Sequence, residues 1–131
     1  MGSEMCIRDS FNTQATRWDN TSCAGGLRWQ INRINAGYTY KNVAANGGFF
    51  QLASRLARYT GNETYTQWAE TAWTWFEGSV LFDAAQYQVY DGTNLEQNCT
   101  SADHTQWSYN YGLYLNGLAY LYNHVSNLPS P

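Results

Sequence analysis

The sequence predicts an all-α fold, and two observations carry that prediction. Apolar residues recur at helical spacing in three long segments of the chain. Between those segments, no run of alternating or β-branched residues is long enough to predict a sheet. The predicted order is a helix pair flanked by long loops and followed by one more helix, which is typical of antiparallel helix hairpins. Loops longer than about 12–15 residues in a compact domain are usually functional.

The first part of the chain combines a helix end, a loop and one complete helix. Residues 11–18 are interpreted as the end of a helix, and residues 19–37 as a loop with a short extended piece at 27–31. The first complete helix is predicted over 44–59, where apolar residues repeat every three or four positions. Gly61 is predicted to stop it, because a glycine just after a helix accepts the left-handed conformation.

Two further helices are predicted beyond that stop. The second covers 65–77, with Thr64 as its N-cap. Its three tryptophans lie on the helical period and are predicted to belong to the core: Trp68, Trp73 and Trp75. An irregular stretch follows, with an extended piece at 87–90 and a turn signal at Asp91–Gly92. The last helix is predicted over 107–125.

The two ends of the chain differ from the rest in composition. Residues 1–10 read MGSEMCIRDS and lack the apolar stretch of a signal peptide. They are interpreted as a non-native cloning or adapter scar. Residues 126–131 read as the start of a Pro/Ser linker.

Composition excludes several classes of function. The chain has 131 residues, a formal net charge of −3 and only 13% charged residues, so it offers no basic surface for nucleic acid. No apolar run reaches the ~20 residues of a membrane span. The cysteines and histidines have no zinc spacing, so no metal and no cofactor are expected. His104 and His124 are interpreted as ordinary surface or cap residues.

Sequons and cysteines favour a secreted protein. Asn20, Asn62 and Asn98 each begin an N-glycosylation sequon. Cys23 and Cys99 lie in loop-like sequence next to two of these sequons, and we predict that they form a disulfide closing a long loop. The alternative is two unrelated buried thiols. The third cysteine of the chain lies in the N-terminal segment interpreted as a scar.

Three neighbouring segments predict a carbohydrate cleft: Gly25–Gln30, Gly37–Asn42 and Asn46–Phe50. They combine aromatic rings, side-chain amides and glycines. A sugar needs both flat apolar surface and paired donors and acceptors, because it has C–H faces and a rim of hydroxyls. The predicted substrate-binding residues are Arg28, Trp29, Gln30, Tyr40, Asn42, Asn46, Asp91, Tyr109 and Asn110.

Several of these residues have a second interpretation. Arg28 could contact the sugar or a site carboxylate, or it could clamp loop carbonyls. Asp91 lines the cleft or forms a turn, and Trp29 is a sugar platform rather than a core ring. Trp107–Asn110 is a site cluster at a helix end, or a serine cap with packed rings. Lys41 is interpreted as a surface residue in preference to a site residue.

Seven segments of the chain match a known family: Arg17–Asp19, Cys23 with Gly25–Gln30, Tyr40–Asn42, Asn46–Phe50, Leu56–Asn62, Val89–Gly92 and Ser108–Asn110. Through these segments, the chain from Phe11 to about Asn123 resembles the C-terminal half of fungal endo-α-1,6-mannanases, glycoside hydrolase family 76. The resemblance implies a partial (α/α)6 barrel, of which the chain holds about the last third to half, so that residues 11–125 are the C-terminal part of the catalytic domain. It implies retaining hydrolysis or transglycosylation of α-1,6-mannose linkages in cell-wall mannan or GPI glycans.

The resemblance also implies what the chain lacks. Glycoside hydrolysis typically uses two carboxyl groups that flank the scissile bond. In this family they are adjacent aspartates upstream of the matched stretch, and the present sequence contains no Asp–Asp pair. We therefore expect no hydrolase activity from the chain alone, and a location that is secreted, in the cell wall or at the outer membrane surface through a GPI anchor outside this chain. The alternative is a non-catalytic mannan-binding module.

Overall fold

The computed structural model describes residues 2–127, with side chains from residue 5. The helices predicted over 44–59, 65–77 and 107–125 are confirmed, with ends within two residues of those predicted. No helix within the described residues is long and apolar enough to cross a membrane. The helices are α1 (Gly2–Ala15), α2 (Val43–Thr60), α3 (Glu63–Glu77) and α4 (Ser108–Val125).

Helix α1 runs without a break across the predicted boundary between residues 10 and 11. Phe11 anchors it, with 2% of its surface exposed and its ring stacked 5.3 Å from that of Phe49. A helical conformation says nothing of origin, so the interpretation of residues 1–10 as a scar stays a prediction. Most of the predicted linker at 126–131 lies outside the described residues.

The core forms around α2, which packs against both α3 and α4. Phe50 of α2 stacks on Tyr114 of α4 with ring centroids 5.4 Å apart, and Phe76 of α3 stacks on the same tyrosine at 3.7 Å. The three tryptophans predicted for the core are confirmed there. Trp75 is 8% exposed, and Trp68 and Trp73 pack against the buried cluster.

The connection between α2 and α3 is a tight turn, for which the sequence prediction is only partly correct. Gly61 adopts the predicted left-handed conformation, with φ +66°, and its N–H donates to the Ala57 carbonyl at 2.9 Å. The prediction of Thr64 as the cap of α3 is wrong. Asn62 has the extended backbone that a cap needs, and its Oδ1 accepts from the Thr64 N–H at 3.0 Å.

The same end of the molecule buries a histidine. His124, near the end of α4, is only 9% exposed, and its Nε2 lies 3.1 Å from Oγ1 of Thr66 on α3. Its interpretation as a surface or cap residue is therefore wrong, because α3 covers it.

The expectation that the chain forms no sheet is also wrong, because short strands tie the long loops together. Strands of two or three residues are too short to show a period of two in the sequence. The extended piece predicted at 87–90 contains one of them, whereas the piece predicted at 27–31 is loop. One antiparallel sheet has the order β1 (Tyr40–Asn42), β4 (Gly92–Asn94), β5 (Ala102–Asp103), and a second pairs β2 (Phe82–Asp83) with β3 (Gln88–Val89).

Candidate functional site

The long loops meet at one end of the helices, which we call the loop end. The connection between α1 and α2 starts there, and so does the connection between α3 and α4. Strand β1 belongs to the first connection, while β4 and β5 belong to the second, so the three-stranded sheet joins the two. Aromatic and polar side chains from both connections are thereby held against the first turns of α2 and α4.

Trp29 presents an aromatic face at the loop end. Its side chain is 52% exposed, and its ring meets that of Tyr40 edge-on at 6.3 Å. The Trp29 N–H donates to the Tyr40 carbonyl at 2.8 Å, which fixes the backbone behind the ring. A Cβ at Gly37 would lie 2.5 Å from the indole, so only glycine lets the backbone approach it there. An exposed ring held this way has the geometry of the predicted platform, whose contact with sugar stays a prediction.

Tyr40 and Asp91 form a polar pair beside that ring. The Tyr40 hydroxyl donates to Asp91 Oδ2 at 2.9 Å. Burial, the hydrogen bond to Asp91 and the charges of Asp91, Asp103 and Tyr109 raise the pKa of the Tyr40 hydroxyl well above its usual range. The phenol therefore stays protonated as a donor, and the carboxylate remains free to accept through its second oxygen.

The predicted turn at Asp91–Gly92 is wrong, because the sheet extends this segment. The Asp91 N–H donates to the Asp103 carbonyl at 3.0 Å, and the Asp91 carbonyl accepts from the Val43 N–H at 2.8 Å. Gly92 begins β4. Asp91 is thus fixed through its backbone on both sides, which leaves its side chain to pair with Tyr40.

A charged network underlies the platform. Asp19 Oδ2 lies 2.8 Å from Arg28 Nη2 and 3.3 Å from Lys41 Nζ. Burial on its own raises the pKa of the Asp19 carboxyl, but hydrogen bonds from Ser22 and Thr21 and the charge of Lys41 outweigh it and hold that pKa well below its usual range. Asp19 is therefore ionised at neutral pH and balances two cations.

Lys41 is the residue for which the sequence interpretation fails most clearly. Its side chain is fully buried rather than at the surface. Its ammonium donates to the carbonyls of Asp19, Ser22 and Gly25 at 3.0, 2.7 and 2.5 Å. Burial lowers the pKa of Lys41, and Asp19 opposes that shift. The alternation along β1, with Tyr40 facing the cleft and Lys41 facing inward, is the signal that could have revealed it.

Arg28 both clamps a loop carbonyl and pairs with a carboxylate in this structure. It donates to the Tyr38 carbonyl at 3.3 Å, pairs with Asp19, and lies 4.6 Å from the centre of the Tyr38 ring. A contact between Arg28 and sugar stays a prediction. Gln30 beside it accepts from the Asn35 amide at 3.2 Å.

The three predicted asparagines are buried. Asn46 is fully buried and holds both the N–H and the carbonyl of Leu27, at 2.7 and 3.0 Å. Asn42 caps α2 by accepting from the Ala45 N–H at 3.2 Å. Asn110 is fully buried, and its amide has no hydrogen-bond partner among the described residues. Asn42 and Asn46 therefore position the loop, and the contact of all three with substrate stays a prediction.

Tyr109 and Trp107 provide a second exposed aromatic surface. Tyr109 is 53% exposed and Trp107 47%, and their rings stack 6.1 Å apart. Ser108 does not cap the helix, because the cap position falls on Trp107, which makes no side-chain cap bond. The charge of Tyr109 also contributes to the raised pKa of the Tyr40 hydroxyl.

The disulfide prediction is confirmed. Cys23 bonds to Cys99, with Cα atoms 5.5 Å apart and a sequence separation of 76. It joins the loop that Lys41 binds to the loop that follows β4. All three sequon asparagines are exposed: Asn20, Asn62 and Asn98.

Comparison with known proteins places these features in a family context. The model for Glycosyl hydrolase family 76 matches residues 7–128. The mannan endo-1,6-alpha-mannosidase DCW1 of Saccharomyces cerevisiae is 55% identical over 114 residues, which are 86% of this chain and 25% of that protein. A putative mannan endo-1,6-alpha-mannosidase of Schizosaccharomyces pombe is 52% identical over 117 residues, 89% of this chain and 26% of that protein. The chain thus spans about a quarter of the length of the curated relatives it matches.

Solved structures agree with the architecture. The crystal structure of Dfg5 from Chaetomium thermophilum in complex with glucosamine is 48% identical with a TM-score of 0.85, over 89% of this chain and 29% of that one. An inactive variant of the α-1,6-mannanase GH76A of Salegentibacter sp. HEL1_6, in complex with α-1,6-mannotetrose, has a TM-score of 0.77 at 19% identity, over 89% of this chain and 33% of that one. The latter likeness concerns the fold alone. The all-α class and the partial (α/α)6 barrel are confirmed.

Proposed function

Because this chain belongs to glycosyl hydrolase family 76, we propose that it is part of a mannan endo-1,6-α-mannosidase and forms one wall of the sugar-binding cleft. The substrate proposed is α-1,6-linked mannose, in cell-wall mannan or in GPI glycans. The observation that carries the proposal is the exposed Trp29 ring beside the Tyr40–Asp91 pair. That combination offers an apolar face and a carboxylate acceptor to one sugar unit.

The geometry explains what the wall can do chemically. The Trp29 face can cover the C–H side of a mannose ring, which removes apolar surface from water. Asp91 uses Oδ2 to accept from Tyr40, so Oδ1 is available to accept from a sugar hydroxyl. A carboxylate acceptor makes a stronger hydrogen bond than a neutral one. The wall therefore binds and orients sugar, and the bond-breaking groups are assigned elsewhere.

Binding is tested by calorimetry with α-1,6-mannotetraose. Replacing Trp29→Ala should weaken binding at least about tenfold, because burying an aromatic ring contributes on the order of 1.5–3 kcal/mol. Tyr59→Ala is the matched control, since Tyr59 is an exposed aromatic residue, 75% accessible, on the last turn of α2. Equal affinities for the two variants, or no binding by the unmodified chain, would contradict the proposal.

Catalysis is proposed to require residues outside this sequence. The chain contains no two consecutive aspartates, and the resemblance assigns that pair to the nucleophile and the acid–base group. Purified chain incubated with α-1,6-mannan should release no reducing ends above a mock preparation. Release above the mock would show that carboxylates within this chain suffice.

We further propose that the protein is secreted and glycosylated. Support comes from the Cys23–Cys99 disulfide and from the exposure of Asn20, Asn62 and Asn98. Expression through a eukaryotic secretory pathway should give a mass that falls when N-glycans are removed enzymatically. Replacing each sequon threonine or serine in turn by alanine, with the mass measured each time, assigns the occupied sites. An unchanged mass for the unmodified chain would refute the proposal.

A further inference from the structure

A second feature of the loop end is a cleft of about 520 Å³ between the end of α1 and the loop that carries Trp29. Three arginines line it: Arg17, Arg28 and Arg33. Asp19 is the one carboxylate in that lining. Trp29 and Gln30 line the same space, so the platform forms one of its edges.

This concentration of positive charge contrasts with the rest of the chain. The sequence has 7 Lys and Arg against 10 Asp and Glu, for a formal net charge of −3. Three of the seven cationic residues line the cleft, and a fourth, Lys41, lies directly behind Asp19. One of the ten acidic residues is present there. The cleft is therefore a local cationic site in an acidic chain.

The single carboxylate of the cleft already forms ion pairs with other residues. Asp19 pairs with Arg28 and with Lys41, and Arg28 also donates to the Tyr38 carbonyl. These contacts account for the charge of Asp19 and leave the other two arginines uncompensated.

Arg17 and Arg33 are those two arginines. Arg17 donates through Nε to the Thr13 carbonyl at 3.2 Å, which leaves the outer nitrogens of its guanidinium available. Arg33 is exposed. Neither makes an ion pair within the part of the chain that the structure describes. Two guanidinium groups at the edge of one cleft, without a protein counter-ion, are suited to a doubly charged anion.

We propose that this cleft binds a glycan that carries a phosphate group, with a sugar ring against Trp29 and the phosphate at Arg17 and Arg33. A phosphate monoester carries about −1.5 to −2 charges at neutral pH. That charge balances two guanidinium groups more fully than the single charge of a carboxylate ligand would. Guanidinium also binds phosphate oxygens in a planar, two-pronged geometry. The proposal deepens the proposed function and rests on it for the role of Trp29 as a sugar platform.

The experiment compares three probes by calorimetry on the full chain: mannose 6-phosphate, mannose and inorganic phosphate. Mannose 6-phosphate should bind about tenfold more tightly than mannose at low salt, the gain expected from charge-assisted hydrogen bonds to phosphate. Much of that gain should disappear at about 0.5 M salt, because exposed charges are then screened. Inorganic phosphate should bind more weakly than mannose 6-phosphate, since it has no ring to place on Trp29.

Arg33→Gln is the decisive variant, because Arg33 is exposed and makes no ion pair within the described residues. It should reduce the affinity for mannose 6-phosphate towards that for mannose. Arg58→Gln is the matched control, since Arg58 is an exposed arginine in the last turn of α2, far from the loop end in the fold. It should leave all three affinities unchanged. Thermal melts of both variants monitor folding.

Several outcomes would overturn the inference. These are equal affinity for mannose and mannose 6-phosphate, no effect of Arg33→Gln, or inorganic phosphate binding as tightly as the sugar phosphate. Glucuronate is tested as a fourth probe, and binding as tight as that of mannose 6-phosphate would refute the assignment to phosphate. Failure of the proposed function is distinguishable, because it appears as loss of neutral α-1,6-mannotetraose binding while the arginine-dependent affinity persists.

Discussion

The two ends of the helical array are built by different means. At the opposite end, which we call the turn end, α2 and α3 are joined by Gly61 and Asn62 alone, and each contacts atoms within four residues in sequence. At the loop end, Lys41 reaches carbonyls 16–22 residues away, and Trp75 donates to the Cys23 carbonyl 52 residues away.

The difference shows which kind of contact determines the structure at each end of the molecule. The turn end is determined by local backbone preference. Single substitutions there should therefore have small, additive effects on the free energy of unfolding. The loop end is determined by a few long-range polar contacts that share members, so removing one should affect the others. The side chains proposed to bind sugar lie at the second end, where long loops are fixed in place by a buried cation and a disulfide.

The largest effect is expected from Asp19→Asn, which tests the shared network of the loop end. The change leaves the buried Lys41 ammonium and the Arg28 guanidinium without their carboxylate. Removing one partner of a buried ion pair costs about 3 kcal/mol or more. Urea unfolding of the variant should show a decrease of that size in the free energy of unfolding.

Glu70→Gln is the matched control for that change. Glu70 is an exposed carboxylate on α3, so its neutralisation should alter stability by less than about 0.5 kcal/mol. Similar losses for the two variants would mean that Asp19 acts as an ordinary surface charge. The comparison of the two ends would then lose its main support.

The next effect is the loss of stability at acidic pH that arises from Asp19. The pKa of Asp19 is held below its unfolded value, so the carboxylate stabilises the fold above pH of about 3.9 and loses that contribution as pH falls further. Stability measured by urea unfolding should therefore decrease between about pH 5 and pH 2, in the direction set by that linkage. Asp19→Asn should show a shallower decrease. Parallel curves for the two proteins would contradict the assignment.

A smaller effect is expected at the turn end from Gly61→Ala. Gly61 has φ +66°, and a Cβ there would meet nothing within 4 Å, so the cost is conformational alone. The left-handed conformation costs a residue with a Cβ about 1–2 kcal/mol. Gly48→Ala is the control within α2, where a Cβ also meets nothing but the backbone is helical. It should stabilise the protein by about 0.5–1 kcal/mol, and thermal unfolding of both variants should show shifts of opposite sign.

The smallest effect is expected from Asn62→Ala, which removes the cap of α3. Loss of an Asn cap costs about 1 kcal/mol. Asn62→Asp keeps an acceptor at the same place, and it should retain most of that stability while abolishing the sequon. Both variants should be measured without glycan, by urea unfolding. A loss for the aspartate variant as large as that for alanine would show that the cap bond is not the source of the effect.

The turn end was predictable because its signals are local. A glycine after an apolar helical repeat predicts the stop, and the structure has Gly61 there. The error at the cap arose because both Asn62 and Thr64 are good cap residues, and sequence alone does not give the backbone angles that choose between them. Only Asn62 is extended.

The loop end was predictable in composition but not in arrangement. The sequence indicated that Trp29, Tyr40 and Asp91 belong together, yet their grouping depends on a sheet with strands of two or three residues. The burial of Lys41 was missed, because a lysine buries only where carbonyls from a distant loop converge on it. The burial of His124 was also missed, because the residue that covers it, Thr66 of α3, is distant in sequence.

The Cys23–Cys99 bond has a consequence for the chain as a polymer. It closes a covalent ring that includes α2, α3 and most of the loop between α3 and α4. A protease that cuts one peptide bond anywhere inside that ring separates no piece from the rest. A nicked molecule should therefore migrate as a single chain until it is reduced, and only then resolve into two.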